Sequence, residues 1–328
     1  MRQNLEQLDP AWAWAVYQPD ETHPWTRREA AHLFRRATFG ASWKELDAAV
    51  QTTPAELVRE LIRERKDSPE TEQTFSDLSR FVIASGKPEN LPVWWLRRLA
   101  ESHEQLREKM TLFWHGHFAT GAEKVQDVRM MLGQNELFRR HALGQFGPLV
   151  QAVSKDPAML IYLDSVTNRK AHPNENFARE VMELFCLGEG NYTERDVLEL
   201  ARCFTGWEIR NERFRFNRYQ HDTGEKTILG RTGNFGGEAG VEIILEQKSC
   251  PRFLVQKLIR YFLFDEPEVP ESLVAPLADQ FQADGYDIAL LLERMLSSNL
   301  FFSAYSFGRK VRSPVEFTLG LLRGLESQ

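Results

Sequence analysis

Apolar residues recur at intervals of three and four positions through most of the chain, as in the set Leu57, Leu61 and Ile62. This spacing puts the apolar side chains on one face of an α-helix, which can then be buried. Helix-starting residues precede many such sets, because a Ser or Thr oxygen can accept a free backbone amide at a helix N-terminus. These caps pair Thr26 with Glu29, Ser42 with Glu45, Thr53 with Glu56, Ser102 with Gln105, Thr193 with Asp196, and Ser313 with Glu316. The pattern predicts a mainly α-helical protein.

Residues 207–240 interrupt the helical pattern. Residues 207–216 alternate apolar and polar side chains on either side of Asn211-Glu212, which predicts a short two-stranded β-hairpin. A glycine-rich loop follows, and long loops in compact domains are often functional. We therefore expect one large helical domain over residues 1–328, with a hairpin and loop insert around residues 207–240.

Composition narrows the class of protein and its partners. The chain has 328 residues, 42% of them hydrophobic, which is enough for a large core. Its net charge of −6 comes from 41 basic and 47 acidic residues that are well mixed, so we expect no nucleic-acid partner. No apolar run approaches the roughly 20 residues of a membrane span, and the first residues lack the pattern of a signal peptide. The sequence thus predicts a soluble, cytoplasmic protein without a membrane span.

The first candidate site is a helix predicted over residues 174–187. A helical wheel places its apolar residues within one arc. The opposite face carries Asn176, Arg179, Glu180 and Glu183. Two interpretations are open: a solvated face joined by an Arg179–Glu183 pair, or half of a buried polar site. Pro173 favours the second, since it starts a helix whose free amides and positive dipole end lie beside these residues.

Two histidines form a second candidate site. On a helix, His115 and His117 point about 200° apart, so they cannot bind one metal ion unless the helix ends between them. His117 shares an apolar stripe with Met110 and Phe113. We therefore expect His117 to be buried and hydrogen-bonded. A helix end near Thr120 would let both rings turn inward and keeps a metal site as the alternative.

A third candidate is the loop at residues 221–230, "HDTGEKTILG". His221, Asp222 and Lys226 project from this one loop. The pattern is typical of a turn in which Asp222 bonds back to the backbone, and it is equally compatible with one wall of a polar pocket.

Five motifs, in order, give the chain a family resemblance. They are "HLFRRATFGAS" at 32–42, "LREKMTLFWHGHFAT" at 106–120, "NENFAREVMELFCLGEGNYTERDVLELARCFTGW" at 174–207, "HDTGEKTILG" at 221–230 and "SPVEFTLGLLRGL" at 313–325. Together they resemble the bacterial family catalogued as domain of unknown function 1800. The resemblance implies a largely helical protein of uncharacterised activity. It also implies a partner, because members are often encoded beside a second family that resembles sulfatases.

The resemblance also implies a set of signature residues in this chain. They are His115, His117, Phe118, Asn174, Glu175, Asn176, Arg179, Glu180, Glu183, His221, Asp222, Gly224 and Lys226. Two departures from the family pattern affect our expectations. Many relatives are exported, whereas this sequence shows no export signal. The family pattern also continues beyond the "SPVEF" helix, whereas this sequence stops at Gln328, so we expect the C-terminal part of the usual domain to be missing.

Two function hypotheses follow. In the first, a pocket performs hydrolysis or transfer on a polar substrate, with a divalent metal as candidate cofactor. Its expected catalytic residues are Glu180, Glu183, Arg179 and His221; its ligand-binding residues are Asn174, Glu175, Asn176 and Lys226; and its metal ligands are His221 and Asp222 ahead of His115 and His117. In the second, the chain is a non-catalytic structural or partner protein with a buried polar network.

One structural observation separates the two hypotheses. A site would keep an open cavity with unpaired groups, whereas a structural network would be paired and closed to water. The pocket hypothesis further predicts that at least two of the four polar residues from Asn176 to Glu183 are buried. It also predicts that Arg179 pairs with a carboxylate, and that the cluster lies close to His221 or Asp222.

Overall fold

A computed structural model describes residues 5–63 and 66–325 of the chain. These residues form eighteen α-helices and two small antiparallel sheets, which confirms the predicted mainly α class. The α-helices are α1 (Pro10–Trp14), α2 (Arg27–Ala37), α3 (Trp43–Ala49), α4 (Pro54–Arg63), α5 (Pro69–Ser85), α6 (Asn90–Glu101), α7 (Gln105–His117), α8 (Ala122–Val125), α9 (Val128–His141), α10 (Phe146–Ser154), α11 (Pro157–Tyr162), α12 (Asn176–Glu180), α13 (Glu194–Cys203), α14 (Gly237–Leu245), α15 (Ser249–Phe262), α16 (Glu271–Ala283), α17 (Ile288–Leu296) and α18 (Pro314–Gly324). A π-helix, Val181–Cys186, continues α12.

Five of the six predicted capping residues start their helices, at α2, α3, α4, α13 and α18. The cap predicted at Ser102 does not form, because α7 begins three residues later at Gln105 and the Ser102 hydroxyl accepts the Glu104 N–H at 3.1 Å. At α3, the Ser42 hydroxyl accepts the Glu45 backbone N–H at 3.2 Å, and the Glu45 carboxylate accepts the Ser42 N–H at 2.7 Å. The same reciprocal pair starts α2, α13 and α18. Each cap stabilises its helix by about 0.5–2 kcal/mol, because it satisfies amides that have no partner within the helix. These helix starts are therefore local consequences of the sequence.

Both sheets lie in the predicted insert. Strands β1 (Trp207–Arg210) and β2 (Arg213–Phe216) form the hairpin, with Trp207 opposite Phe216. Asn211 and Glu212 make its two-residue turn at φ values of 52° and 60°, the left-handed conformation that tight hairpin turns require. Strands β3 (Lys226–Ile228) and β4 (Arg231–Gly233) form the second sheet. The predicted hairpin is confirmed, whereas the second sheet forms in the part of the insert that was predicted to be a loop.

Contacts divide the chain into two compact units. Unit 1 contains the described residues within 1–80, 92–113 and 255–328. Part of its core is built from Phe39, Leu99 and Leu319, against which Leu112 packs. The prediction of one domain over residues 1–328 stays a prediction.

Unit 2 contains residues 81–91 and 114–254, and its core is rich in aromatic rings. Phe118 is fully buried, and its ring centroid lies 5.8 Å from that of Phe138 and 5.0 Å from that of Phe185. All the candidate site residues predicted from the sequence lie in this unit.

Candidate functional site

The helix predicted over residues 174–187 is formed by α12 and the π-helix Val181–Cys186. Its apolar face is buried, as expected. On its polar face Asn176 is exposed, and Arg179, Glu180 and Glu183 are half-buried. The prediction that at least two of these four are buried is therefore wrong. The helical wheel identified the polar face of the helix correctly. However, Arg179 and Glu183 are held near the surface, and not in the core, by their ion-pair and hydrogen-bond partners.

Arg179 has two carboxylate partners. Its guanidinium donates to both oxygens of Glu194, at 2.7 and 2.8 Å, and to Glu175 at 3.2 Å. The hydrogen bond with Glu194 raises the pKa of Arg179 and lowers that of Glu194. The predicted pairing of Arg179 with a carboxylate is confirmed, although the Arg179–Glu183 pair of the solvated-face interpretation is replaced by Glu194 and Glu175. The Glu194 side chain is 77% exposed, so water screens the interaction and its contribution to stability is small.

Glu180 and Glu183 have different surroundings. Glu183 accepts the Tyr192 hydroxyl at 2.7 Å. Burial, followed by this hydrogen bond, raises the pKa of Tyr192 to about 12. Burial and the neighbouring Glu183 charge raise the pKa of Glu180. Of the carboxyl groups predicted to be catalytic, Glu180 is therefore the one with a raised pKa.

The two asparagines of the signature are bonded to the preceding turn. The Asn174 amide donates to Asp164 O at 3.3 Å and to Thr167 Oγ1 at 3.1 Å. The Asn176 amide donates to Leu163 O at 3.2 Å. These donors satisfy acceptors in the segment before α12, so they hold the start of the helix in place.

Asp222 is bound by a cation from α13. Arg202 donates to its two carboxylate oxygens, at 2.7 and 3.3 Å, and the Gly224 N–H donates to the same group at 2.8 Å. The hydrogen bond with Arg202 lowers the pKa of Asp222. A Cβ on Gly224 would lie 2.8 Å from the Arg202 guanidinium, so a larger residue there would displace the end of the Arg202 side chain. Asp222 is therefore part of a folded turn.

Lys226 and His221 bond to backbone carbonyls. Lys226 is 1% exposed, and its ammonium donates to Asp222 O at 2.6 Å and to Gly224 O at 3.0 Å. His221 Nδ1 lies 2.9 Å from Thr205 O, and since a carbonyl only accepts, Nδ1 carries the proton. Burial lowers the pKa of Lys226. The Lys226 ammonium therefore links the backbone carbonyls of its own loop.

Arg179 and Asp222 are bound by residues near opposite ends of α13. Glu194, the partner of Arg179, is the first residue of α13, whereas Arg202, the partner of Asp222, lies near the end of that helix. Eight residues of helix separate them by about 12 Å along its axis. Arg179 and Asp222 are thus held by different residues of α13, and a single cluster that includes both stays a prediction.

The two histidines of α7 are held by separate partners. His117 is 5% exposed, and its Nε2 donates to Phe185 O at 2.9 Å, near a helix end where carbonyls lack partners within the helix. This confirms the predicted burial and hydrogen bonding of His117. The Asn135 amide lies 2.9 Å from His115 Nε2, and burial lowers the pKa of His115 to about 3. Within residues 5–63 and 66–325, no group of three or more His, Cys, Asp and Glu side chains is arranged to hold a metal ion.

Replacing His117 with Ala should lower the free energy of unfolding by about 1–3 kcal/mol, because Phe185 O would remain buried without its donor. Urea unfolding followed by circular dichroism measures this loss. His172 is exposed in the same unit, and its replacement by Ala should change stability by no more than about 0.5 kcal/mol. Equal stabilities of the two variants would contradict a structural role for His117.

The sequence of this chain matches one known protein family. The model of the family described as "Protein of unknown function (DUF1800)" matches residues 32–328. The chain belongs to this family. No curated protein and no solved structure matches the chain. Membership of DUF1800 supplies no reaction, so a function has to be inferred from the geometry.

This DUF1800 chain also uses polar residues that the sequence analysis did not single out. Asn168 is buried; its amide donates to Ala201 O at 2.9 Å, and its side-chain oxygen accepts the Asn174 N–H at 3.0 Å. Thr205 Oγ1 accepts the Asp222 N–H at 2.8 Å. Together with Arg202, these residues connect α13 to the segments on either side of it. Their only sequence signal is a polar side chain beside the signature residues.

No helix within residues 5–63 and 66–325 is both long enough and apolar enough to cross a lipid bilayer.

Proposed function

We propose that the polar signature of unit 2 is a structural network that folds the loop at residues 221–226 onto α13, in a non-catalytic structural or partner protein. The observation that carries this proposal is the buried Lys226 ammonium, which donates to two carbonyls of its own loop. A buried ammonium requires such partners. A lysine that served a substrate would direct its donors into a cavity instead.

The surroundings of Asp222 support the same conclusion. Both carboxylate oxygens accept hydrogen bonds from Arg202, and Oδ1 also accepts the Gly224 N–H. Arg202 in turn donates to Glu199 at 2.8 Å and to Glu225 O at 3.1 Å. A general base or metal ligand needs an oxygen directed at its substrate or ion, whereas these oxygens are used within the fold.

The hydrolase or transferase hypothesis is supported mainly by Glu180, whose raised pKa suits a general acid or base. Glu180 is only half-buried, and the charges that influence it are those of Glu183 and Arg179. We therefore place this hypothesis second. A sulfatase-like protein encoded nearby remains the proposed partner class, and a cytoplasmic location remains our expectation.

Replacing Lys226 with Met tests the network. The variant should lose about 1–3 kcal/mol of stability, because two loop carbonyls lose their buried donor. Hydrogen exchange of the amides at residues 221–230 should become faster. Lys170 is exposed in the same unit, and Lys170→Met should change stability by no more than about 0.5 kcal/mol.

Metal titration of the same protein supplies the opposing test. We expect Zn²⁺, Mn²⁺ and Mg²⁺ to leave the melting temperature unchanged. A saturable rise that His221→Ala abolishes, together with normal stability of Lys226→Met, would contradict the network and favour a metal-assisted site.

A further inference from the structure

Unit 1 contains a small pocket beside the first turn of α18. Its volume is about 270 Å³, and its lining includes Arg35 from α2, Arg312 and Glu316. Glycines form part of its wall, at positions 40, 320 and 324. The Cβ that any other residue would place at Gly320 would lie 3.3 Å from the Arg312 guanidinium. The glycines therefore leave room beside the arginine.

Two guanidinium groups face this pocket without a carboxylate partner. Among the described residues, neither Arg35 nor Arg312 takes part in a salt bridge or a side-chain hydrogen bond; Arg312 lies over the Phe317 ring at 5.4 Å. Both side chains are exposed at the pocket mouth. Partial burial and the nearby charge of Arg312 lower the pKa of Arg35, as expected for two neighbouring cations. An anion between them would remove this repulsion.

The one carboxylate in the lining is already neutralised. Glu316 is buried, and it accepts hydrogen bonds from the Lys109 ammonium and, at 2.7 Å, from the Ser313 N–H. Arg36 interacts electrostatically with Glu316, Arg35, Arg312 and a second carboxylate, Asp265. Within the lining itself, two arginines therefore accompany one carboxylate that Lys109 already neutralises. The pocket carries a local positive charge in a chain whose net charge is −6.

We propose that this pocket binds a small phosphate-type oxyanion between Arg35 and Arg312. A planar guanidinium donates two parallel N–H···O hydrogen bonds to such a group. Two guanidinium groups can therefore hold one anion from opposite sides. The volume lies just below the roughly 300–1,000 Å³ of pockets for drug-sized ligands. The pocket therefore has room for inorganic phosphate or the head group of a phosphate monoester.

Titration of the full chain with inorganic phosphate tests the site. Isothermal titration calorimetry at constant ionic strength, with sodium chloride as the balancing salt, should show saturable binding. Arg35→Gln and Arg312→Gln should each weaken binding by about tenfold or more, because each removes a charge-assisted contact. Arg28 is exposed on the same helix as Arg35, and Arg28→Gln should bind phosphate like the parent.

Two further measurements identify the class of ligand and check that the variants fold. Phenyl phosphate that binds more tightly than inorganic phosphate would assign the pocket to a monoester head group, and the reverse order would assign it to free phosphate. Without phosphate, both glutamine variants should melt at the parent temperature or slightly above it, since each removes one repelling cation. Phosphate affinity that is unchanged in both variants, or heats that chloride reproduces, would overturn the proposal.

Discussion

Replacing Lys109 with Met should lower the free energy of unfolding by about 3–5 kcal/mol, because it leaves the Glu316 carboxylate buried without its cation. Lys109 is 1% exposed, and its ammonium bonds to Glu316 and lies over the rings of Phe39 and Tyr261, at 5.1 and 5.5 Å. Burial lowers the pKa of Lys109. Burial alone would raise the pKa of Glu316, but the nearby ammonium holds it below its usual value. Urea unfolding of the full chain measures the loss.

An exposed ion pair on α6 provides the matched control. Arg97 donates to Glu101 at 2.9 Å, and both side chains are largely exposed, so Arg97→Met should cost no more than about 1 kcal/mol. Adding Glu316→Gln to Lys109→Met should restore part of the lost stability, since it removes the uncompensated charge. If Lys109→Met were as stable as Arg97→Met, the buried pair would contribute nothing to the fold.

Replacing Phe118 with Ala should lower the free energy of unfolding by about 3–5 kcal/mol, because it opens a cavity in the aromatic core of unit 2. The Phe118 ring is fully buried and contacts Trp114, Phe138 and Phe185. Differential scanning calorimetry measures the change. This phenylalanine belongs to the signature implied by the family resemblance, and packing accounts for its presence there.

Phe216 is the control for Phe118. It lies on β2 and is 49% exposed, so its replacement by Ala creates no closed cavity and should cost about 1 kcal/mol or less. Equal losses from Phe118→Ala and Phe216→Ala would show that the core around α7 relaxes to fill the space.

The hairpin and the helix starts were predictable because their causes are local. Ser42 and Glu45 are three residues apart, so the cap that they form depends on nothing beyond one turn of chain. The hairpin follows from strict alternation around Asn211-Glu212. His117 was assigned correctly for a related reason, since its apolar stripe places it on the buried face of α7.

The polar face of α12 shows where periodicity stops being informative. A helical wheel groups Asn176, Arg179 and Glu183 on one side, but it carries no information about which element covers that side. The partners of Arg179 include Glu194, fifteen residues away across a turn, and they hold it half-exposed. The burial prediction failed for that reason.

By itself, the sequence determined the helical class, the insert at residues 207–240 and the residues that share each helix face, because backbone propensity, capping and periodicity act over a few residues. The tertiary structure alone decided which charges meet. Lys109 and Glu316 are 207 residues apart in the chain, and Arg35 is influenced by the charge of Arg312, which comes much later in the sequence. The packing of the helices determines which of these residues become partners. A sequence pattern that extends over a few residues does not specify that packing.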